Sequence, residues 1–164
     1  MPESLTLDLP DPEATEAFGR RLGEALGQRP AAGLSLWLEG ELGAGKTTLV
    51  RACLRALGHA GRVPSTTYTL VEPYATAQRN IYHLDLYRLA DAEELEFIGA
   101  RDYFAQASLS LIEWPERGTG FMPQPDLSLC IEYVGEKRRV RYASHGARGA
   151  ELGRYLDPTS SGVE

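Results

Sequence analysis

Leu34-Ser35-Leu36-Trp37-Leu38-Glu39-Gly40-Glu41-Leu42-Gly43-Ala44-Gly45-Lys46-Thr47-Thr48 carries the chain from an apolar run through a glycine-rich loop into a helix. Leu34 to Leu38 reads as a short buried strand, and Lys46 to Leu57 as a helix closed by Gly58. Between them, Gly40-x-x-x-x-Gly45-Lys46-Thr47 meets the Walker A pattern at every required position. The glycines let backbone N–H groups close around phosphates, and the helix that follows points its positive end at the same charge. Lys46 would put a compact cation on the β and γ phosphates of ATP. The Thr47 hydroxyl would be a ligand for Mg2+, and Thr48 would cap the helix and contact the α-phosphate side. Glu41, Leu42, Gly43 and Ala44 complete the cradle. A glycine-rich turn opening an ordinary helix would not call for Lys-Thr-Thr after Gly45. A dinucleotide fold needs a different glycine spacing.

The flanking sequence supplies the rest of an α/β fold. Leu5 to Leu9 alternates at period two and ends at Pro10, predicting an edge strand. Asp11 and Pro12 then open a helix whose apolar residues Ala17, Phe18, Leu22, Ala25 and Leu26 fall on one face. Thr67 to Tyr74 and Asn80 to Tyr87 read as strands joined by a turn, and Ala90 to Ile98 as a short acidic helix capped by Asp91. Leu109 to Ile112 is a buried-type strand ending at Glu113. Leu127 to Val134 and Arg138 to Ala143 form a later strand pair, followed by a helix from Ala147 to Leu156. The expected architecture is a P-loop NTPase-like three-layer sandwich on a mixed, mainly parallel central sheet with antiparallel additions. Residues 1–156 make one domain, and 157–164 read as a small, polar, flexible tail.

An ATPase of this kind needs a carboxylate at a neighbouring strand end for the metal, and a group to orient the attacking water. Glu113 and Asp85 both end apolar strand runs and are the candidates; each could also be an ordinary solvated strand-end acid. His83, two residues before Asp85, shares its face of the strand and reads most simply as a structural histidine. Trp114 reads as a core or adenine-side packing residue. Ser65-Thr66-Thr67-Tyr68 stands where switch-like loops reach a γ-phosphate, though Ser and Thr also cluster in plain turns. Lys137-Arg138-Arg139-Val140-Arg141 has the alternation of a solvated strand face.

With 164 residues and 43% hydrophobic content the chain suits one core. A net charge of -6 argues against a protein that grips a nucleic-acid backbone unaided. Cys53 and Cys130 are too far apart, and too short of neighbouring ligands, to suggest zinc or a disulfide framework, so buried free thiols are expected. No signal-like run opens the sequence and no apolar stretch is long enough to span a bilayer, which predicts a cytoplasmic protein with no membrane partner.

The glycine loop, Tyr68-Thr69-Leu70-Val71-Glu72-Pro73-Tyr74, His83-Leu84-Asp85-Leu86-Tyr87-Arg88-Leu89 and Leu111-Ile112-Glu113-Trp114-Pro115 together closely resemble the TsaE (formerly YjeE) family in order and spacing. Glu93 to Gly99 and Arg101 to Phe104 add to the likeness. The resemblance implies a bacterial ATPase working with TsaB and TsaD to place threonylcarbamoyl on the tRNA adenosine beside the anticodon. The transfer itself belongs to TsaD, and the ATPase meets tRNA indirectly, through the complex. It also implies Gly40 to Thr48 as the ATP loop, Thr47 and Glu113 as magnesium ligands, Asp85 as the acid needed for hydrolysis, and Arg138 near the nucleotide. Lys46 and Thr67 complete the catalytic set. The family's Ser-Pro-Thr appears here as Ser65-Thr66-Thr67, and losing the proline frees φ and restores an N–H donor. The residues alone leave other readings open. A small P-loop kinase would need an acceptor pocket and lid, a GTP switch would need an Asn-Lys-x-Asp segment that is absent, and a nucleotide-bound scaffold would need no hydrolysis.

Overall fold

Leu34, Leu36 and Leu38 are all but fully buried, because the strand that carries them lies in the middle of a sheet. The computed structural model describes residues 4–28, 33–63, 70–76, 79–105 and 107–157. Among these, seven strands form one sheet: β1 (Ser4–Leu9), β2 (Leu34–Gly40), β3 (Val71–Ala75), β4 (Asn80–Asp85), β5 (Leu109–Glu113), β6 (Leu127–Val134) and β7 (Lys137–Ser144). Their order is β1-β7-β6-β2-β5-β4-β3. The four middle strands β6, β2, β5 and β4 run parallel, and antiparallel strands extend the sheet at both margins. Parallel strands need both faces covered, and they are.

The side-chain period of two sorts the strand residues between two apolar clusters. On one face Leu36, Leu111, Leu129 and Ile131 pack with Phe18 and Leu22 of α1 (Pro12–Gly27), Leu49 and Cys53 of α2 (Lys46–Ala56), and Leu152 of α5 (Gly146–Leu156). On the other, Tyr82, Leu84 and Ile112 pack with Leu95 of α3 (Glu94–Phe97) and Ala100 of α4 (Ala100–Ala105). The result is the expected three-layer α/β sandwich on a mixed sheet. No helix among the described residues is long and apolar enough to cross a membrane.

The boundaries are largely as the sequence predicts. Asp11 caps α1 by accepting from the Ala14 N–H at 2.8 Å, and Pro12 occupies its first turn. β3 and β4 pair antiparallel, as the expected hairpin requires. The acidic helix is shorter than expected. Asp91 accepts from the Glu93 N–H, and backbone bonds of three-residue span run from Asp91 to Glu96, so only Glu94–Phe97 is helical before Gly99 turns left-handed at φ 75°. A further short helix, α4, follows where none was expected. Cys130 is only half-buried, unlike Cys53, because β6 turns it to the less covered face. Residues 67–69 of the expected strand, and all of the tail beyond Asp157, lie outside the described residues.

Candidate nucleotide site

β2 ends at Gly40 and α2 begins at Lys46, so the glycine loop sits at the carboxyl edge of the sheet's parallel centre. Its turns depend on backbone that side chains disfavour: Gly40, Gly43 and Gly45 have φ of 145°, 77° and 113°. At Gly40 a Cβ would also come within 2.6 Å of the Ile131 carbonyl oxygen on β6. α2 has no side-chain cap and no acid in its first turn, in contrast to α1 with Asp11 and Glu13. Its leading N–H groups and positive dipole end therefore meet no capping side chain and no acid of their own helix, which suits a phosphate.

Lys46 lies beneath this loop, 5% exposed. Its ammonium donates to the Gly40 carbonyl, and to that of Glu41 at 3.4 Å, and sits 4.2 Å from the centre of the Trp114 ring. Burial pushes its pKa below the ordinary lysine value, against the opposing pull of Glu113, Asp85 and Glu116. Trp114 is held for this contact by an unusual backbone. With φ 57° it is the one non-glycine residue of positive φ among those described, and its ring also packs on Tyr87 at 5.0 Å.

The two candidate acids stand side by side. Parallel registers put Leu38 of β2, Glu113 of β5 and Asp85 of β4 abreast, so both carboxylates end their strands next to the loop. Glu113 is 3% exposed and accepts from His83 Nε2 at 2.6 Å. Asp85 is half-buried, and its Oδ1 accepts from the Tyr87 N–H at 3.1 Å. Thr47 is exposed on the first turn of α2, and Thr48 half-buried. Hydroxyl and carboxylate oxygens are the hard donors that magnesium takes. Among the described residues no three His, Cys, Asp or Glu side chains are grouped to hold a metal ion.

On the other side of the loop lies a cleft of about 270 Å³, lined by Pro10, Pro12 and Thr15 at the start of α1, by Gly43 and Gly45, and by Arg138 of β7. Arg138 stacks 3.9 Å over Tyr133, whose hydroxyl donates to the Leu42 carbonyl at 3.2 Å. Two other arginines of the basic run are paired on the sheet, Arg139 with Asp8 and Arg141 with Glu132. The fold thus gathers Gly40 to Thr48, Asp85 and Glu113 at one edge, with Arg138 at the adjoining cleft. Ser65, Thr66, Thr67 and Tyr68 lie outside the described residues. Two contacts escaped the sequence reading. His83 bonds to Glu113 on the next strand, and Trp114 covers the lysine rather than facing the cleft. The shared parity of His83 and Asp85 hinted at the first; nothing local marked the second.

A family model described as threonylcarbamoyl adenosine biosynthesis protein TsaE matches residues 9–141. The Haemophilus influenzae protein named tRNA threonylcarbamoyladenosine biosynthesis protein TsaE is 49% identical over 151 residues, 92% of this chain and 96% of that one. The Bacillus subtilis protein of the same name is 34% identical, over 84% of each chain. The crystal structure of Bacillus subtilis YdiB superposes with a TM-score of 0.76 at 27% identity, covering 95% of both chains.

Proposed function

The chain belongs to the TsaE family of tRNA threonylcarbamoyladenosine biosynthesis proteins, and on that premise we propose that it serves there as a magnesium-dependent ATPase. Its hydrolysis would act in the cytoplasm on a TsaB–TsaD complex, which performs the transfer and through which tRNA is met. The observation that carries this reading is the convergence of Lys46, Glu113 and Asp85 at the carboxyl ends of β2, β5 and β4, under a helix start with no acid of its own.

Each group then has a task. The Lys46 ammonium rests on two neutral carbonyls, and phosphate oxygens would compete for it with stronger, charge-assisted bonds. The first N–H groups of α2 and the backbone from Gly40 to Thr48 would bind the remaining phosphate charge. Bound magnesium supplies neutralisation of charge on the phosphate oxygens, and Thr47 and Glu113 would hold it. Asp85, abreast of Glu113, would orient the attacking water, and Thr67 would bring a hydroxyl to the γ-phosphate. Arg138 would meet the nucleotide from the cleft.

The test is reconstitution with TsaB, TsaD, tRNA and the threonylcarbamoyl donor, following phosphate release and repeated tRNA modification. Lys46→Ala should weaken nucleotide binding about tenfold or more, the cost of one charged hydrogen bond. Asp85→Ala should leave binding largely intact and stop multiple turnover. Full multi-turnover activity in Asp85→Ala would remove that residue from the mechanism.

A further inference from the structure

His83 lies deep beside the site, and the proposed chemistry gives it no task. It stands on β4 opposite Leu111 and reaches diagonally to Glu113, two residues further along β5. Every residue of β5 is buried, and the Glu113 carboxylate that ends it has been taken almost wholly out of water. Such a group needs strong hydrogen bonds. Among the described residues its side chain receives one, from His83 Nε2. The geometry assigns the tautomer: the proton sits on Nε2, since two lone pairs would otherwise face each other at 2.6 Å. Nδ1 is buried without a partner among the described residues, so within them the imidazole is committed to this single bond.

The bond occupies Oε2 of Glu113 and leaves Oε1 free of any hydrogen bond from the described residues. A carboxylate kept only to fill the end of β5 would gain nothing from this arrangement, because an apolar side chain completes a buried strand at lower cost. We propose that His83 is a positioning residue for the divalent-cation site. It clamps one oxygen of Glu113 so that the other is offered to the cation in a fixed orientation. This rests on reading Glu113 as a cation ligand.

Mn2+ is the probe, titrated by electron paramagnetic resonance into the full chain saturated with ADP, with ADP affinity in EDTA measured alongside. Removing the partner of a ligating carboxylate typically costs 10–100-fold in metal affinity, and His83→Leu is expected to lose about that much for Mn2+ while its ADP affinity in EDTA stays put. His83→Gln carries an amide N–H where Nε2 stood and should remain close to the parent. His83→Asn is too short to reach and should behave as leucine does. Should the leucine variant not fold, the glutamine and asparagine pair decides. Equal Mn2+ affinity in parent, leucine and asparagine variants overturns the inference, as does a matching loss of metal-free ADP affinity, which would mark a general structural role. Glu113→Gln separates the two levels. If it leaves Mn2+ affinity unchanged, the cation reading of Glu113 fails and this inference with it. If it weakens Mn2+ while His83→Leu does not, the cation site stands and only the positioning role falls.

Discussion

Cys53 records how deeply the helix behind the glycine loop is sunk into the core. Its thiol is fully buried, and desolvation pushes its pKa up to about 12 from an ordinary 9.0. Between those values the unfolded chain sheds the proton and the folded chain keeps it. The folded state then binds more protons, and stability must fall as pH rises from 9 towards 12. Tyr142, also pushed up to about 12, adds to the fall above pH 10. Urea unfolding across this range should therefore give a flatter stability profile for Cys53→Ala than for the parent, even though the variant starts less stable. Parallel profiles would show that the thiol's burial does not govern alkaline stability. At this scale the sequence was legible wherever chemistry dictates residue type at fixed spacing, as from Gly40 to Thr48, or at a strand end, as for Asp85 and Glu113. What it hid were the partners. The bond of His83 to Glu113 needs the β4–β5 register, and the contact of Trp114 with Lys46 needs a left-handed φ that tryptophan does not advertise.

α1 and α2 meet through glycines that the sequence shows only as weak points in a helix. A Cβ on Gly19 would come within 2.5 Å of the Leu49 carbonyl oxygen, and one on Gly23 within 2.5 Å of that of Cys53. One turn apart on α1, the two lay its backbone directly against the helix that carries Lys46 and Thr47. Since α1 also begins at the cleft beside Arg138, this contact ties the cleft to the glycine loop. Gly23→Ala must push the helices apart, and overpacking of this kind costs about 1–3 kcal/mol. In a chain of this size that is a fall in Tm of a few degrees to about 10 °C. Gly27→Ala is the control: its Cβ would meet only Leu57 Cδ2, at an ordinary 3.8 Å, and helix propensity favours alanine. If both variants melt alike, the close approach is not what the glycines provide. The face of α1 was readable from its apolar spacing. The true extent of α3 was not, because Asp91 and its neighbours satisfy their hydrogen bonds as well in turns as in a longer helix.

Across the whole molecule, strands and their types could be read from the sequence, but their order could not. β7 is inserted between β1 and β6, a pairing of residues 4–9 with 138–143 that no local pattern encodes. That placement changes the meaning of the basic run. Arg139 and Arg141 are taken up by Asp8 and Glu132 on the strands either side, and Arg138 is stacked on Tyr133 at the cleft, so the run does not amount to a free cationic strip. Phosphate-backbone binding scales with the counterions that lysines and arginines displace, and in this chain of net charge -6 Arg139 and Arg141 of the run are already engaged by carboxylates. The isolated chain should therefore bind tRNA no more tightly than non-specific contacts allow, roughly 10⁻⁴–10⁻⁶ M at physiological salt. Adding TsaB and TsaD should make its nucleotide-dependent effect on tRNA modification appear without any gain in its own affinity for tRNA. Fluorescence anisotropy with labelled tRNA over a salt series measures this directly. Sub-micromolar binding by the chain alone, falling steeply with salt, would mean that it reads tRNA itself, and the partner-mediated account would have to give way.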